Sequence, residues 1–340
     1  MSHITEIALE NYRSFRTARC RFSPFTLIVG ANNAGKSNVL KAVRDVAVCS
    51  STANPVEVLG AARHHASDWN ARTKVTLNWS DGQIGLAWNQ ADVEQEVSGP
   101  ELRYPNFPID GVVLEIYRLD PLIIGAAEGG SGEPYIQPNG AGVSWMLDKW
   151  NSGSRAMRTR FEQVITALRR CVPEIEAVSF YDEDVGKRAI QVEQTGLPEP
   201  RPLSEVSDGT RLVLAILTLV NQETPPPVLL LEDIDRGLHP RLNEQLVAFL
   251  RTLASQGHTQ ILATTHDPYL IDEFRDMPEA VVIVDKKDGA STLSNLDDRL
   301  KVIRAPGEEL ETPLGELWFS GLVGGVPKMK LPEILKVAEE

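Results

Sequence analysis

Gly30-Ala31-Asn32-Asn33-Ala34-Gly35-Lys36-Ser37 fits G-x-x-x-x-G-K-[S/T] at every fixed position. Its flanks agree with it. Phe25-Thr26-Leu27-Ile28-Val29 is a short apolar, β-branched run, the pattern of a buried strand. Asn38-Val39-Leu40-Lys41-Ala42-Val43 then carries apolar residues at helical spacing. Strand, glycine-rich turn and helix make the motif a phosphate-binding loop. Backbone N–H groups of the turn and of the helix start face phosphate oxygens, so Asn32, Asn33, Ala34, Gly35, Lys36, Ser37 and Asn38 form the expected nucleotide-binding set. Lys36 neutralises the phosphates and the Ser37 hydroxyl ligates Mg²⁺.

Outward from the loop, residues 4–9 alternate weakly and predict a first strand, followed by a second near 18–22. These two are expected to pair as a small antiparallel sheet beside the nucleotide. Arg13, between them, either reaches a phosphate or packs on the sheet edge.

The second half supplies three more signals. Val228-Leu229-Leu230-Leu231-Glu232-Asp233 is an apolar strand ending in two carboxylates, and such a strand delivers its end beside the phosphate loop. If Glu232 were the base, the metal-holding position would fall on Leu231, which cannot serve. Glu232 is therefore expected at the metal and Asp233 at the attacking water. Ala263-Thr264-Thr265-His266-Asp267 follows another buried strand, where His266 can contact the terminal phosphate and help fix the water. Ser207-Asp208-Gly209-Thr210 opens an apolar helix over 208–220. Its bare N–H groups form an anion site, and Ser207 or Asp208 would also serve as a simple N-cap.

In this order, Asn-Tyr-Arg-Ser-Phe (11–15), the glycine loop, Ser-Asp-Gly-Thr (207–210), Leu-Leu-Leu-Glu-Asp-Ile-Asp-Arg-Gly-Leu-His-Pro (229–240) and Ala-Thr-Thr-His-Asp (263–267) resemble the RecF/SMC/OLD-type branch of the ABC ATPases. The resemblance covers about residues 4–285. It implies an α/β P-loop NTPase fold: an ABC-type head with a mostly parallel central sheet, a flanking antiparallel β subdomain and a helical insert. It also implies ATP and Mg²⁺ as ligands, and a homodimer closed head to tail around ATP. Ser207 and Gly209 would then be the signature that reaches the nucleotide of the other subunit. Residues 235–239 would be the D-loop, and His266 the switch histidine.

Three departures shape the expectation. Asp233 stands where Glu is usual, one methylene short, which predicts slow hydrolysis. The stretch between glycine loop and signature is too small for long coiled-coil arms. The chain ends soon after the last core strand, leaving no room for a Toprim nuclease domain. The resemblance is thus to compact ATPases that act beside a separate effector, such as a nuclease, or on DNA, in phage-defence or DNA-repair loci.

Between the motifs, residues 74–79, 83–88 and 111–117 predict strands, with Ser80-Asp81-Gly82 as a hairpin turn. His64 and His65, beside Asp68, read as loop histidines. Residues 128–142 are rich in Gly, Ser and Pro and predict a mobile loop. Helices are expected over 143–150 and 154–171, a hairpin over 175–180 and 188–192, and further α/β elements over 240–253, 260–263 and 280–285. The domain reading is a discontinuous head, 1–119 and 203–300, an insert, 120–202, and a C-terminal appendage, 301–340.

Composition bounds the function classes. A hydrophobic content of 42% with 24% charged residues is that of an ordinary globular protein. The net charge of −13 opposes a generally basic, DNA-coating surface; Arg155, Arg158, Arg160, Arg169 and Arg170 form a local basic stripe or a solvated helix face. Three unclustered cysteines, Cys20, Cys49 and Cys171, suit a reducing compartment and no zinc site. With no apolar leader and no run long enough to cross a bilayer, the expected location is cytoplasmic. Two other readings are an ATP-binding regulatory scaffold with negligible hydrolysis and a transporter subunit, the latter opposed by the lack of a clear glutamine loop or Leu-Ser-Gly-Gly-Gln signature.

Overall fold

The structure is a computed structural model, and it describes residues 3–51, 72–79, 82–88, 93–98, 114–129, 135–257, 259–303 and 312–326. The elements are β1 (Ile4–Tyr12), β2 (Phe15–Arg21), β3 (Phe25–Gly30), α1 (Lys36–Ser51), β4 (Thr73–Trp79), β5 (Gly82–Trp88), β6 (Val93–Ser98), β7 (Ile116–Tyr117), α2 (Pro121–Ile124), β8 (Glu128–Gly129), α3 (Val143–Ser152), α4 (Arg155–Cys171), β9 (Ile175–Asp184), β10 (Lys187–Gln194) and β11 (Arg201–Pro202). After them come α5 (Asp208–Val220), β12 (Val228–Leu231), α6 (Pro240–Ser255), β13 (Gln260–Thr265), α7 (Pro268–Asp272), β14 (Val281–Lys287), β15 (Ala290–Asn295), α8 (Leu296–Ile303) and α9 (Leu314–Phe319).

Eleven strands form one sheet in the order β6-β5-β4-β1-β2-β15-β14-β3-β13-β12-β7. Its half from β14 to β7 is parallel throughout. There the strands are apolar on both faces, and every residue of β3, β12 and β13 is buried. The β6-to-β2 half is antiparallel. The expected small sheet of β1 and β2 is therefore no separate layer: β15 pairs with β2 at Ser291 and fuses the two halves. Strand β2 also begins at Phe15, ahead of the expected start, because Phe15 is fully buried and pairs with Tyr12 across a tight turn.

A second sheet of four strands joins β8, β10 and β11, with β9 against β10. Its inner residues Ile175, Ile190 and Val192 lie in the same apolar cluster as Phe25, Leu27 and the face of α5. The described residues of 120–202 thus pack on the sheet and do not stand off as an arm. The loop expected over 128–142 is tied down at both of its described ends. The Glu128 carboxylate accepts from the backbone N–H groups of Gly142 and Trp145, a negative charge on the start of α3, where helix N–H groups lack partners. Gln137 N also donates to the Ala141 carbonyl.

The strand expected over 111–117 is only Ile116–Tyr117 within the described residues. Trp79 pairs with Gly82 across the expected hairpin, whose Ser80 and Asp81 lie outside the described residues, as do His64, His65 and Asp68. In the tail, α9 buries Leu314, Leu317 and Trp318. Arg299 donates to the Val323 carbonyl and to Asp285, and Gly315 N donates to Asp272.

Candidate functional site

The parallel half sets the site. Strands β3, β13, β12 and β7 end side by side, so the glycine loop, His266, the Glu232–Asp233 pair and Arg118 emerge along one edge. They open onto a cleft of about 360 Å³, lined by the loop residues Asn32, Asn33, Gly35, Lys36, Ser37 and Asn38 and by Lys41, Arg118, Glu232, Asp233 and His266. Sequence reasoning brought most of these to one place. Ala34, buried at 1% exposure, supports the loop from below.

Two glycines of the loop are required sterically. A Cβ on Gly30 would run into the Val284 carbonyl of the neighbouring strand. At Gly35, with φ of +118°, a Cβ would come 2.7 Å from Ser14 Oγ and 2.8 Å from Ser291 Oγ. Those two serines clasp the loop: Asn38 Nδ2 donates to Ser14 Oγ at 2.9 Å and Ser291 Oγ donates to the Ala34 carbonyl. The Lys286 ammonium donates to the Asn33 carbonyl at 3.2 Å. Arg13 does not reach the cleft; it turns to the buried Asp45 of α1, 3.6 Å away, which also accepts from the Tyr12 hydroxyl at 2.7 Å.

Lys36 lies almost wholly inside, its Nζ donating to the carbonyls of Gly30 at 2.8 Å and Ala31 at 3.1 Å. Burial lowers its pKa to about 8, against the opposing pull of Asp233, Asp235 and Glu232. The Ser37 hydroxyl donates to Glu232 Oε1. Glu232 is anchored through its N–H to the Tyr117 carbonyl at 2.8 Å. A hydroxyl and a carboxylate in contact form a hard oxygen pair that suits Mg²⁺, which takes few protein ligands and completes its shell with phosphate oxygens and water.

Asp233 has φ of +54°. Its N–H donates to Thr264 Oγ1 at 2.9 Å, and the next residue, Ile234, donates to the Thr264 carbonyl at 3.0 Å. Asp tolerates this left-handed backbone better than Glu because its short polar chain can bond locally. His266 Nε2 lies 3.5 Å from Asp233 Oδ1, and His266 Nδ1 lies 3.3 Å from Lys36 Nζ. The network assigns the tautomer: Nδ1 accepts from the ammonium and Nε2 carries the proton facing Asp233. Burial first, then Lys36, lowers the pKa of His266, so it is neutral at pH 7.

The structure does not bring Ser207 and Gly209 into this cleft. Ser207 caps α5, accepting from Thr210 N at 3.2 Å, and is exposed. Gly209 is buried against the chain's own 235–239 loop and α6: a Cβ there would meet Leu242 Cδ2 at 2.8 Å and Leu238 Cδ2 at 3.0 Å. The basic stripe is partly committed, since Arg158 donates to the Gly153 carbonyl at 2.9 Å and Arg169 to that of Glu176. The residues that sequence reasoning missed are Lys41, Arg118 and Thr264. Arg118 follows a two-residue strand with no motif around it, whereas Thr264 sat in a quoted motif whose histidine drew the attention.

Comparison with known proteins bears on the fold that carries this cleft. Residues 174–272 match the family described as "AAA domain, putative AbiEii toxin, Type IV TA system", and residues 3–48 match "AAA ATPase domain". A "Putative ABC transporter ATP-binding protein" of Streptomyces avermitilis is 45% identical over 74 residues, 22% of this chain and 12% of that protein. A second, from Streptomyces coelicolor, is 43% identical over the same shares. The matched stretch thus spans about an eighth of those curated relatives. An SMC head bound to the C-winged helix domain of ScpA superposes with a TM-score of 0.57 at 15% identity, covering 88% of this chain and 99% of that one. The SMC head domain of Thermotoga maritima gives 0.53 at 17% identity, covering 86% and 98%. Two segments matching ATPase families are thus carried on a fold similar to that of an SMC head.

Proposed function

We propose that the protein is an ATP-hydrolysing switch that dimerises head to tail around Mg²⁺ and ATP, and that its closed form acts on DNA or on a separate effector such as a nuclease, in phage defence or DNA repair. The observation that carries the reading is the convergence of Lys36, Ser37, Glu232, Asp233 and His266 on one cleft. Lys36 and the loop N–H groups would hold the phosphates, while Ser37 and Glu232 would hold Mg²⁺, which would supply Lewis-acid stabilisation of the phosphate charge. Asp233 accepts the proton of the attacking water, and His266, neutral with its proton on Nε2, keeps that carboxylate oriented. The exposed Ser207 at the start of α5 faces no phosphate of its own chain, which supports its use on the nucleotide of a partner.

Replacing Asp233 by Asn removes the proton acceptor while Glu232 keeps the metal. Asp233→Asn is expected to accumulate a dimer in Mg²⁺ and ATP, seen as a doubled mass in light scattering behind size exclusion. A variant that stays monomeric and turns over ATP at the wild-type rate would overturn the assignment. The scaffold alternative predicts negligible turnover in the wild type itself. Among the described residues no helix is long and apolar enough to cross a membrane.

A further inference from the structure

The cleft holds a cation that none of the motifs supplies. Arg118 follows Tyr117, whose carbonyl accepts from Glu232 N, so β7 and β12 run in parallel register and bring Arg118 beside the metal-binding carboxylate. Its backbone is fixed, with Arg118 N donating to the Pro138 carbonyl at 2.9 Å. Its guanidinium is exposed and has no hydrogen-bond or ion-pair partner among the described residues, although it lines the cleft with Glu232 and Asp233. Lys41, one turn along α1, lines the same wall and likewise has no partner among the described residues. Neighbouring arginines are committed: Arg13 and Arg44 both face Asp45.

Three cations (Lys36, Lys41 and Arg118) against two carboxylates make the lining net positive in a chain of net charge −13. Strand order separates them. Lys36 rises from the loop after β3, Arg118 from the end of β7, and the ends of β13 and β12 lie between. An anion lying over His266 and Asp233 is thus met by Lys36 from one side and by Arg118 from the other. Lys36 is held by the loop's own carbonyls, whereas Arg118 lies across the carboxylate pair from it, at the end of the outermost parallel strand. A guanidinium fork suits two oxygens of one terminal phosphate.

We propose that Arg118 is the terminal-phosphate clamp of this cleft: it contacts the γ-phosphate of ATP held by its own chain and so distinguishes ATP from ADP. The inference rests on the nucleotide-binding reading above. Because the guanidinium is exposed and unpartnered among the described residues, Arg118→Ala leaves the fold intact.

The test is calorimetric titration of the wild-type, Arg118→Ala and Arg118→Lys proteins with the β,γ-imido analogue of ATP and with ADP, each in Mg²⁺ and each repeated with Ser207→Asp added, so that dimerisation does not contribute. One charge-assisted contact corresponds to about tenfold to a hundredfold in affinity. Arg118→Ala is expected to weaken the triphosphate by that factor while ADP affinity changes less than about twofold. Arg118→Lys, keeping the charge and losing the fork, is expected to fall between. Equal losses for both nucleotides, or no loss for either, would overturn the clamp while leaving the cleft as a nucleotide site. Wild type that binds neither nucleotide would overturn the cleft reading and the clamp together.

Discussion

Thr264 is the residue on which the geometry of the proposed base depends. Its side chain is 1% exposed, and its hydroxyl is the acceptor for the Asp233 N–H, 2.9 Å away. Asp233 stands at φ of +54°, a conformation that costs a non-glycine residue about 1–2 kcal/mol. Thr264→Val keeps the shape and removes the acceptor, leaving a donor unsatisfied at a cost of about 1–3 kcal/mol. Spread over the unfolding entropy of a chain this size, that lowers Tm by about 1–4 °C. The functional loss should be larger. Freed of the bond, Asp233 can relax toward an ordinary backbone, and a shift of about 1 Å at a reacting group can cost on the order of 10²-fold. Phosphate release under saturating ATP and scanning calorimetry on the same samples measure both effects. Thr264→Ser, which restores the hydroxyl, should recover most of the turnover. A Thr264→Val protein with lowered Tm and wild-type turnover would show that the bond serves the fold and not the site, and the reasoning would fail.

Two further outcomes follow from the same geometry. Ser207→Asp keeps an N-cap of equal rank but adds a negative charge where a partner's phosphate would lie; monomeric ATP affinity should be unchanged and the Mg²⁺-ATP dimer lost in light scattering. A normal dimer would refute the trans signature. Position 207 is the better probe than Gly209, where any side chain first disturbs Leu238 and Leu242 of its own chain. The second outcome concerns pH. With its pKa lowered to about 8, Lys36 is charged below that pH and neutral above it. ATP prefers the ammonium, so affinity should be flat from pH 6.5 to 7.5 and fall by up to about tenfold per unit above pH 8. Affinity unchanged to pH 9.5 would mean that burial does not lower the pKa of Lys36.

The elements legible in the sequence were those whose local pattern and global role coincide. The strand-loop-helix of residues 25–43, the apolar strand before Glu232 and the hairpin of β9 and β10 each carry their own periodicity and turn chemistry. What was not legible depends on contacts distant in sequence. Strand β15 alternates poorly, yet it joins the halves of the sheet because Ser291 pairs with Phe15. Residues 128–142 looked mobile by composition; what composition did not show is that one carboxylate, Glu128, accepts from two N–H groups at the start of α3. Within the site, the motif residues announced themselves, and the supports did not. Thr264, Ser14 and Ser291 act through single hydrogen bonds set by strand order. Asp233 read as a shortened base; its left-handed backbone went unseen, because no pattern in sequence reports a dihedral angle.

The central claim is that the cleft beside residues 30–37 binds the phosphates of ATP through Lys36. Calorimetric titration of Mg²⁺-ATP into wild type and Lys36→Ala tests it, with thermal unfolding of each protein as the control for folding. Lys36 is buried at 6% exposure with its charge on two loop carbonyls, so its loss removes the one cation fixed inside the loop. The account predicts saturable one-site binding by wild type and a loss of at least about a hundredfold in a folded Lys36→Ala protein. Equal ATP affinity in the two folded proteins would contradict it.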